Sequence, residues 1–178
     1  MNQEYFDVLD ENGNSTGKIK IRVDVHRDGN WHRVVHIWII NDHREILLQK
    51  RCADKDCNPN MLDISSAGHL LAGESSIEGA IREIKEELNI DIQPNDLEFI
   101  ETFQKEKVHS SNFINNEFSD MYILRTKLTL HDMVFQKEEI SEIHFVPFQE
   151  FKQMVIDKKS DLVWREEEFN TLFRILGI

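Results

Sequence analysis

Gly68 to Ile90 reads GHLLAGESSIEGAIREIKEELNI, a glycine-bearing loop that runs straight into an amphipathic helix. Ser75 opens Ser-Ser-Ile-Glu, with Glu78 three residues on. That pattern is a capping box, which satisfies free backbone N–H groups at a helix start. Ile77, Ile81, Ile84 and Leu88 then recur at helical spacing and make one apolar face. Glu83, Glu86 and Glu87 stand at i, i+3 and i+4, so their carboxylates share a different face. Three carboxylates that close repel one another, and the C-terminal part of a helix gives them no favourable field. Packing needs no such cluster. A hard divalent cation does, because Mg²⁺ or Mn²⁺ takes several oxygen ligands and completes its shell with water and substrate phosphates.

The rest of the chain bounds what such a site serves. Its 178 residues suffice for one domain with a sizeable core, and no repeat, linker or low-complexity segment divides it. A single domain over residues 1–178 is expected. The net charge is −12 and no Lys/Arg block exceeds two residues, so nucleic acid is excluded as a partner, since phosphate neutralisation needs a basic surface. A small anionic substrate is compatible if metal and a few local cations offset the charge. No apolar run approaches the length of a membrane span, and no membrane association is expected. The N-terminus is acidic and lacks an apolar signal region, which gives a cytoplasmic location as the default. Cys52 and Cys57 read as two unpaired thiols.

In order, Tyr5–Leu9 alternates and precedes Asn12-Gly13, a hairpin signal. Lys18–Val25 supplies the return strand of an N-terminal β-hairpin extension over residues 1–25. Strands are expected at Val34–Ile40, Glu45–Lys50 and Ile64–Ala67. Between the last two lies an irregular polar segment, Arg51–Asp63, where Pro59 disfavours helix. Arg51 and Lys55 in that segment are candidate cations for substrate phosphate, against the plainer reading of surface charge. Further strands are expected at Leu97–Lys105, Met121–Leu130 and Glu142–Val146, with Glu106–Asp120 as a polar loop. Helices are expected at Pro147–Asp157 and Ser160–Leu176, with Leu162, Phe169, Leu172 and Leu176 toward a sheet. Strands with a central helix and helices over residues 147–178 give an α/β (α+β) fold, a sheet covered on both faces.

The stretch at 68–90 resembles the Nudix box, G-x5-E-x7-R-E-U-x-E-E-x-G-U with U aliphatic. Gly68, Glu74, Arg82-Glu83-Ile84, Glu86-Glu87 and Ile90 match, and Asn89 stands at the second glycine. Asn is the next best residue for the left-handed conformation usual after a helix. The resemblance implies an α/β/α sandwich with a mixed sheet, and hydrolysis of a diphosphate linked to another moiety. It implies that Glu83, Glu86 and Glu87, with the Gly68 carbonyl, bind Mg²⁺ or Mn²⁺. It also implies that Glu74 and Arg82 pair structurally. It implies further that the base is one of Glu83, Glu86 and Glu117.

Residues 26–74 resemble one branch of that superfamily, the type I isopentenyl-diphosphate isomerases. The shared features are His32, WIIN at Trp38–Asn41, LLQKR at Leu47–Arg51, Lys55, Pro59, Gly68-His69 and Gly73-Glu74. The resemblance implies a possible second metal site at His26, His32 and His69 with Glu117, while Asn115 replaces its other glutamate. The isomerases also need a cysteine where Ala67 stands, and alanine cannot move a proton. The expected function is therefore a Mg²⁺-dependent diphosphatase acting on a nucleoside diphosphate or its derivative. Two alternatives stay open: isopentenyl-diphosphate isomerisation, which Ala67 and Asn115 disfavour, and a catalytically silent diphosphate-binding module. The partner is a small-molecule diphosphate, and the chain is expected as a monomer or homodimer.

Overall fold

Val34–Ile40 is β-branched and aromatic almost throughout, a composition suited to a strand buried on both faces. In the computed structural model, which describes residues 3–55 and 57–178, it lies within an 11-residue strand of a nine-stranded mixed sheet. The elements are β1 (Tyr5–Leu9), β2 (Ser15–Ile21), α1 (Arg22–Arg27), β3 (Trp31–Asn41), β4 (Glu45–Arg51), β5 (Leu62–Asp63), β6 (Ser66–His69), α2 (Ser76–Leu88), β7 (Leu97–Ser110), β8 (Phe113–Thr126), β9 (Ile140–Pro147), α3 (Phe148–Ile156) and α4 (Glu166–Leu176). β3 runs parallel to β8 and antiparallel to β6, meets β4 at Ile40 and β1 at Trp31. β7 extends the sheet beyond β8, and β9 beyond β4.

Alternation along β3 divides the core. Val35, Ile37 and Ile39 face α2 and pack with Ala80, Ile84 and Leu88. Trp38 and Ile40 face α3 and α4, where Phe151, Phe169 and Leu172 cover them. Helices thus cover both faces of the mixed sheet, the α/β/α arrangement expected. A third, small cluster of Phe6, Val8 and Val25 seats the N-terminal hairpin on the domain. Gly13 turns that hairpin at φ 81°, and the Asp10 carboxylate accepts from the Asn12 and Asn14 N–H groups.

α2 forms as its sequence dictates. The Ser75 capping box is present, and Asn89 ends the helix in the left-handed conformation at φ 54°, its N–H bonded to the Lys85 carbonyl. Ile77 and Ile81 join Ile84 and Leu88 on the core side.

Four local expectations are corrected. The return strand starts at Ser15 and ends at Ile21, where the Arg22 N–H bonds to the Glu4 carbonyl; the chain then makes the short helix α1, which anchors Val25 and turns His26 inward. Glu106–Asp120 is no loop. β7 and β8 pair through it as one long hairpin, so Glu117 stands in a strand, opposite Lys105. Polarity misled there because this end of the sheet carries the candidate site. β8 stops at Thr126 rather than Leu130. The last helix starts at Glu166 rather than Ser160, because Asp161 and Val163 exchange backbone hydrogen bonds with Leu62. Residues 1 and 2 of the expected extension, and residue 56 of the irregular segment, lie outside the described residues.

Candidate active site

The site is built where α2 leans on β6. Gly68 has no alternative there: a Cβ at that position would lie 1.9 Å from Glu83 Cδ. The missing side chain lets the Glu83 carboxylate sit on the strand backbone. One turn further along α2, Glu87 is only 5% exposed and accepts from the Ala67 N–H at 3.3 Å. Glu86 points outward and is 54% exposed. Burial, and then the charge of Glu83, push the Glu87 carboxyl up to about 8. Burial likewise raises Glu83, against the pull of Arg82. These carboxylates are held in a place that disfavours their charge.

Arg82 fixes their geometry. Its Nε and Nη2 donate to Glu74 at 2.8 and 2.9 Å, its Nη1 to Glu83 at 2.7 Å and Glu86 at 3.0 Å, and its Nη2 to the His69 carbonyl at 2.9 Å. A guanidinium has five N–H donors, and all five are used. Glu74 also accepts from the Leu71 N–H. The expected Glu74–Arg82 pair therefore exists, and it ties the loop, the helix and two acidic residues into one unit.

Beside this unit, α1, β3 and β6 bring His26, His32 and His69 together, with ligand atoms all within 4.8 Å of one another. Phe6 stacks on His32 and His69, and Phe113 on His26. His32 Nδ1 lies 3.0 Å from the Asn30 carbonyl. A carbonyl only accepts, so Nδ1 carries the proton and Nε2 presents its lone pair. That Nε2 faces Glu117 at 3.8 Å. The Nε2 atoms of His32 and His69 and the Oδ1 of Asn115 are buried without a hydrogen-bond partner among the described residues. Burial lowers His32 to about 4 and puts His69 well below the usual histidine value. Three converging imidazoles, two of them, His32 and His69, kept neutral by burial, suit a transition or divalent metal ion. The acidic cluster beside them suits a hard one. Both donor sets fit the metals the sequence implies.

The sequence-expected residues thus gather in two adjoining groups, Gly68, Glu83, Glu86 and Glu87, and His26, His32, His69 and Glu117. Burial raises the Glu117 carboxyl above its usual value. Ala67 lies opposite His36 in β6, so this position offers no ionisable group. Of the two candidate cations, Lys55 pairs with Glu139, and the charges of Glu87 and Glu83 act on it. Arg51 donates to Asp63 at 3.1 Å and to the Cys57 carbonyl. Cys52 Sγ donates to the Lys137 carbonyl, and Cys57 Sγ lies 3.7 Å from His109 Nδ1.

One group escaped the sequence reading. Asp63 is buried and holds Arg165 and Arg51. Arg165 also donates from Nη1 toward His36 Nε2 at 3.3 Å, so the His36 proton sits on Nδ1 and bonds Glu168 Oε1 at 2.8 Å. This network joins β3, β5 and the start of α4. Only the Arg165–Glu168 spacing hinted at it, and that spacing alone reads as a surface pair.

Residues 30–167 match the family model described as NUDIX domain. The chain is 43% identical over 159 residues to Nudix hydrolase 3 of Arabidopsis thaliana, covering 87% of this chain but 21% of that longer protein. It is 37% identical over 169 residues to an uncharacterized Nudix hydrolase of Clostridium acetobutylicum, covering 93% of this chain and 80% of the relative. A more distant relative, isopentenyl-diphosphate delta-isomerase 2 of Photorhabdus laumondii, is 25% identical over 93% of this chain and 90% of its own length. Among solved structures, DR0079 from Deinococcus radiodurans superposes with a TM-score of 0.69 at 21% identity, over 96% of this chain and 98% of that one. No helix among the described residues is long and apolar enough to cross a membrane.

Proposed function

The chain belongs to the Nudix family, and from that premise we propose that it is a metal-dependent hydrolase cleaving the P–O–P link of a nucleoside diphosphate or nucleoside diphosphate derivative. One observation carries the reading. Glu83 and Glu87 are buried side by side at the cost of their charge, held by a glycine that cannot be replaced without displacing Glu83. A domain that only bound a diphosphate would have no use for that arrangement.

We assign Glu83, Glu86, Glu87 and the Gly68 carbonyl to Mg²⁺ or Mn²⁺, and His26, His32, His69 and Glu117 to a second divalent ion. When bound, such ions neutralise the diphosphate and lower the pKa of a water ligand. The chain's own residues do the rest. Lys55 and Arg51 offer positive charge to the substrate phosphates, Arg51 held in place by Asp63. Arg82 keeps Glu83 and Glu86 oriented while its link to Glu74 holds the loop. A water attacks phosphorus, the bridging P–O bond breaks, and one carboxylate among Glu83, Glu86 and Glu117 takes the proton of the water. The aromatic rings of Phe6 and Phe113 shield the imidazoles from solvent.

Isomerisation of isopentenyl diphosphate needs a proton relay at position 67, and Ala67 has none. The test is to incubate the protein with Mg²⁺ and a panel of nucleoside diphosphates, nucleotide sugars and isopentenyl diphosphate, following products by phosphorus and proton NMR. Cleavage of a P–O–P bond is expected, with Glu86→Gln slower by on the order of 10²-fold. Conversion to dimethylallyl diphosphate without cleavage would overturn the hydrolase.

A further inference from the structure

The face of the sheet toward α4 is laid out in rows. In register across it stand Lys105, Glu117 and His32; then Phe103, Ser119, Val34 and His69; then Glu101, Met121, His36 and Ala67. α4 covers the third row, where Glu168 bonds His36 and the Thr171 hydroxyl donates to Glu101 at 2.8 Å. The first row lies four residues away along β3, about 13 Å at the usual rise per residue. It carries Lys105 and Glu117 beside the buried His32, and the charges of Arg165 and Glu168 at the start of α4 reach both.

The arginines and Lys55 around the candidate site are engaged, and Lys107, two residues along the strand from Lys105, is exposed. Arg51 and Arg165 hold Asp63, Lys55 pairs with Glu139, and Arg82 spends five donors on its neighbours. Lys105 differs. It is half-buried and stands opposite Glu117, yet its ammonium makes no hydrogen bond or ion pair with the described residues. Burial pushes it below the ordinary lysine value, and the charges of Arg165, Glu168, Glu117 and Lys107 act on it. A partly desolvated ammonium without a partner is costly unless a ligand supplies an acceptor. Two strand spacings, about 10 Å, separate β7 from the β3 strand that carries His32. That distance suits the organic moiety of a substrate whose diphosphate is held at the metal-binding residues.

Resting on the proposed function, we infer that Lys105 is the residue that sets substrate class: it donates from Nζ to an acceptor oxygen of the ribose or base of a nucleoside diphosphate, and so selects nucleoside over prenyl diphosphates. An isoprenoid chain laid across the first row would cover Lys105 with hydrocarbon and leave its ammonium unsatisfied. A nucleoside brings acceptor oxygens to it. Sites built to hydrogen-bond a substrate discriminate strongly against the analogue that lacks the group.

The test measures steady-state cleavage of uridine diphosphate and isopentenyl diphosphate with Mg²⁺ by wild type, Lys105→Met and Lys105→Arg. Methionine keeps the length and packing of the side chain and removes its charge. For Lys105→Met, kcat/KM on uridine diphosphate is expected to fall about 30-fold, mostly through KM. Isopentenyl diphosphate is expected to be unaffected or cleaved better, and Lys105→Arg to recover most of the loss. Melting curves of the three proteins report whether a loss reflects folding. If Lys105→Met lowers both substrates equally at unchanged stability, or lowers neither, Lys105 does not select substrate, although the hydrolase reading stands. If wild type cleaves isopentenyl diphosphate and no nucleoside diphosphate, the substrate reading and the role of Lys105 fall together.

Discussion

Asp63 and Glu87 are both buried carboxylates, and the protein holds them in opposite ways. Burial pushes Asp63 up, but the guanidinium groups of Arg165 and Arg51 outweigh it and keep the carboxyl below its ordinary value. Glu87 has no such partner. Burial and the neighbouring Glu83 charge raise it to about 8, and Lys55 and two hydrogen bonds only moderate the rise. The first cluster is neutralised by its own chain and fastens α4 to the sheet. The second is left short of positive charge. A cluster whose charge the fold does not balance points to a cation or a reaction that will.

The largest test of this contrast is Arg165→Met. It leaves Asp63 and Glu168 buried without their shared cation, and breaking a buried pair on one side costs about 3–5 kcal/mol. Urea unfolding of the metal-free protein is expected to show that loss, and a change under 1 kcal/mol would mean the network is not structural.

Glu87→Gln is expected to act in the other direction. Turnover falls on the order of 10²-fold, about 2.7 kcal/mol of barrier, while the metal-free protein keeps or gains stability because a disfavoured charge is gone. Mg²⁺ at a hundred times its dissociation constant stabilises wild type by about 2.7 kcal/mol, and Glu87→Gln should lose most of that increment. A variant as active as wild type would remove Glu87 from the metal-binding residues.

Gly68→Ala tests the contact that seats Glu83. A Cβ at 1.9 Å must displace the carboxylate, and overpacking of this kind costs about 1–3 kcal/mol. Activity should fall with stability, in contrast to Glu87→Gln, where the two part company.

The smallest effect is on pH dependence. Glu87, raised from 4.5 to about 8, contributes stability that is full below pH 4.5 and is lost as pH rises toward 8. Asp63, lowered from 3.8, contributes stability that is full above 3.8 and is lost as pH falls through its folded value. The buried histidines, His32 lowered from 6.5 to about 4, add an acid arm that starts below pH 6.5, so the Glu87 contribution is read as a difference: between pH 4.5 and 8 the stability of the metal-free wild type should fall relative to Glu87→Gln, by at most about 1.4 kcal/mol per pH unit. Saturating Mg²⁺ should flatten the alkaline arm. Chemical unfolding of metal-free wild type and Glu87→Gln across pH 3–9 checks this, and parallel pH profiles of the two proteins would contradict the Glu87 assignment.

Much of the site was legible because its signal is local. Gly68, Glu74, Arg82, Glu83 and Glu87 lie in one loop and helix, where spacing fixes which side chains share a face. The hairpin of β7 and β8 was not legible. Its sequence from Glu106 to Asp120 is polar, and polarity ordinarily marks a loop; here it marks strands lined by His32, Glu117 and Lys105. The Asp63–Arg165–Glu168–His36 network was hidden for a different reason. Its members are up to 132 positions apart, and each alone reads as an ordinary surface or buried polar residue.

By itself, the sequence determined the chemistry: acidic residues at helical spacing, a glycine before them, a capping box, an asparagine able to end the helix, and an alanine where a relay would need a thiol. Those are properties of neighbours along the chain, where covalent geometry sets the distances. Only the tertiary structure decided which charges are balanced. Whether a carboxylate meets an arginine or stands exposed to its own kind depends on which strands pair and which helix covers them. That pairing put Arg165 against Asp63, left Glu87 beside Glu83, and set Lys105 across from Glu117 with no acceptor of its own among the described residues.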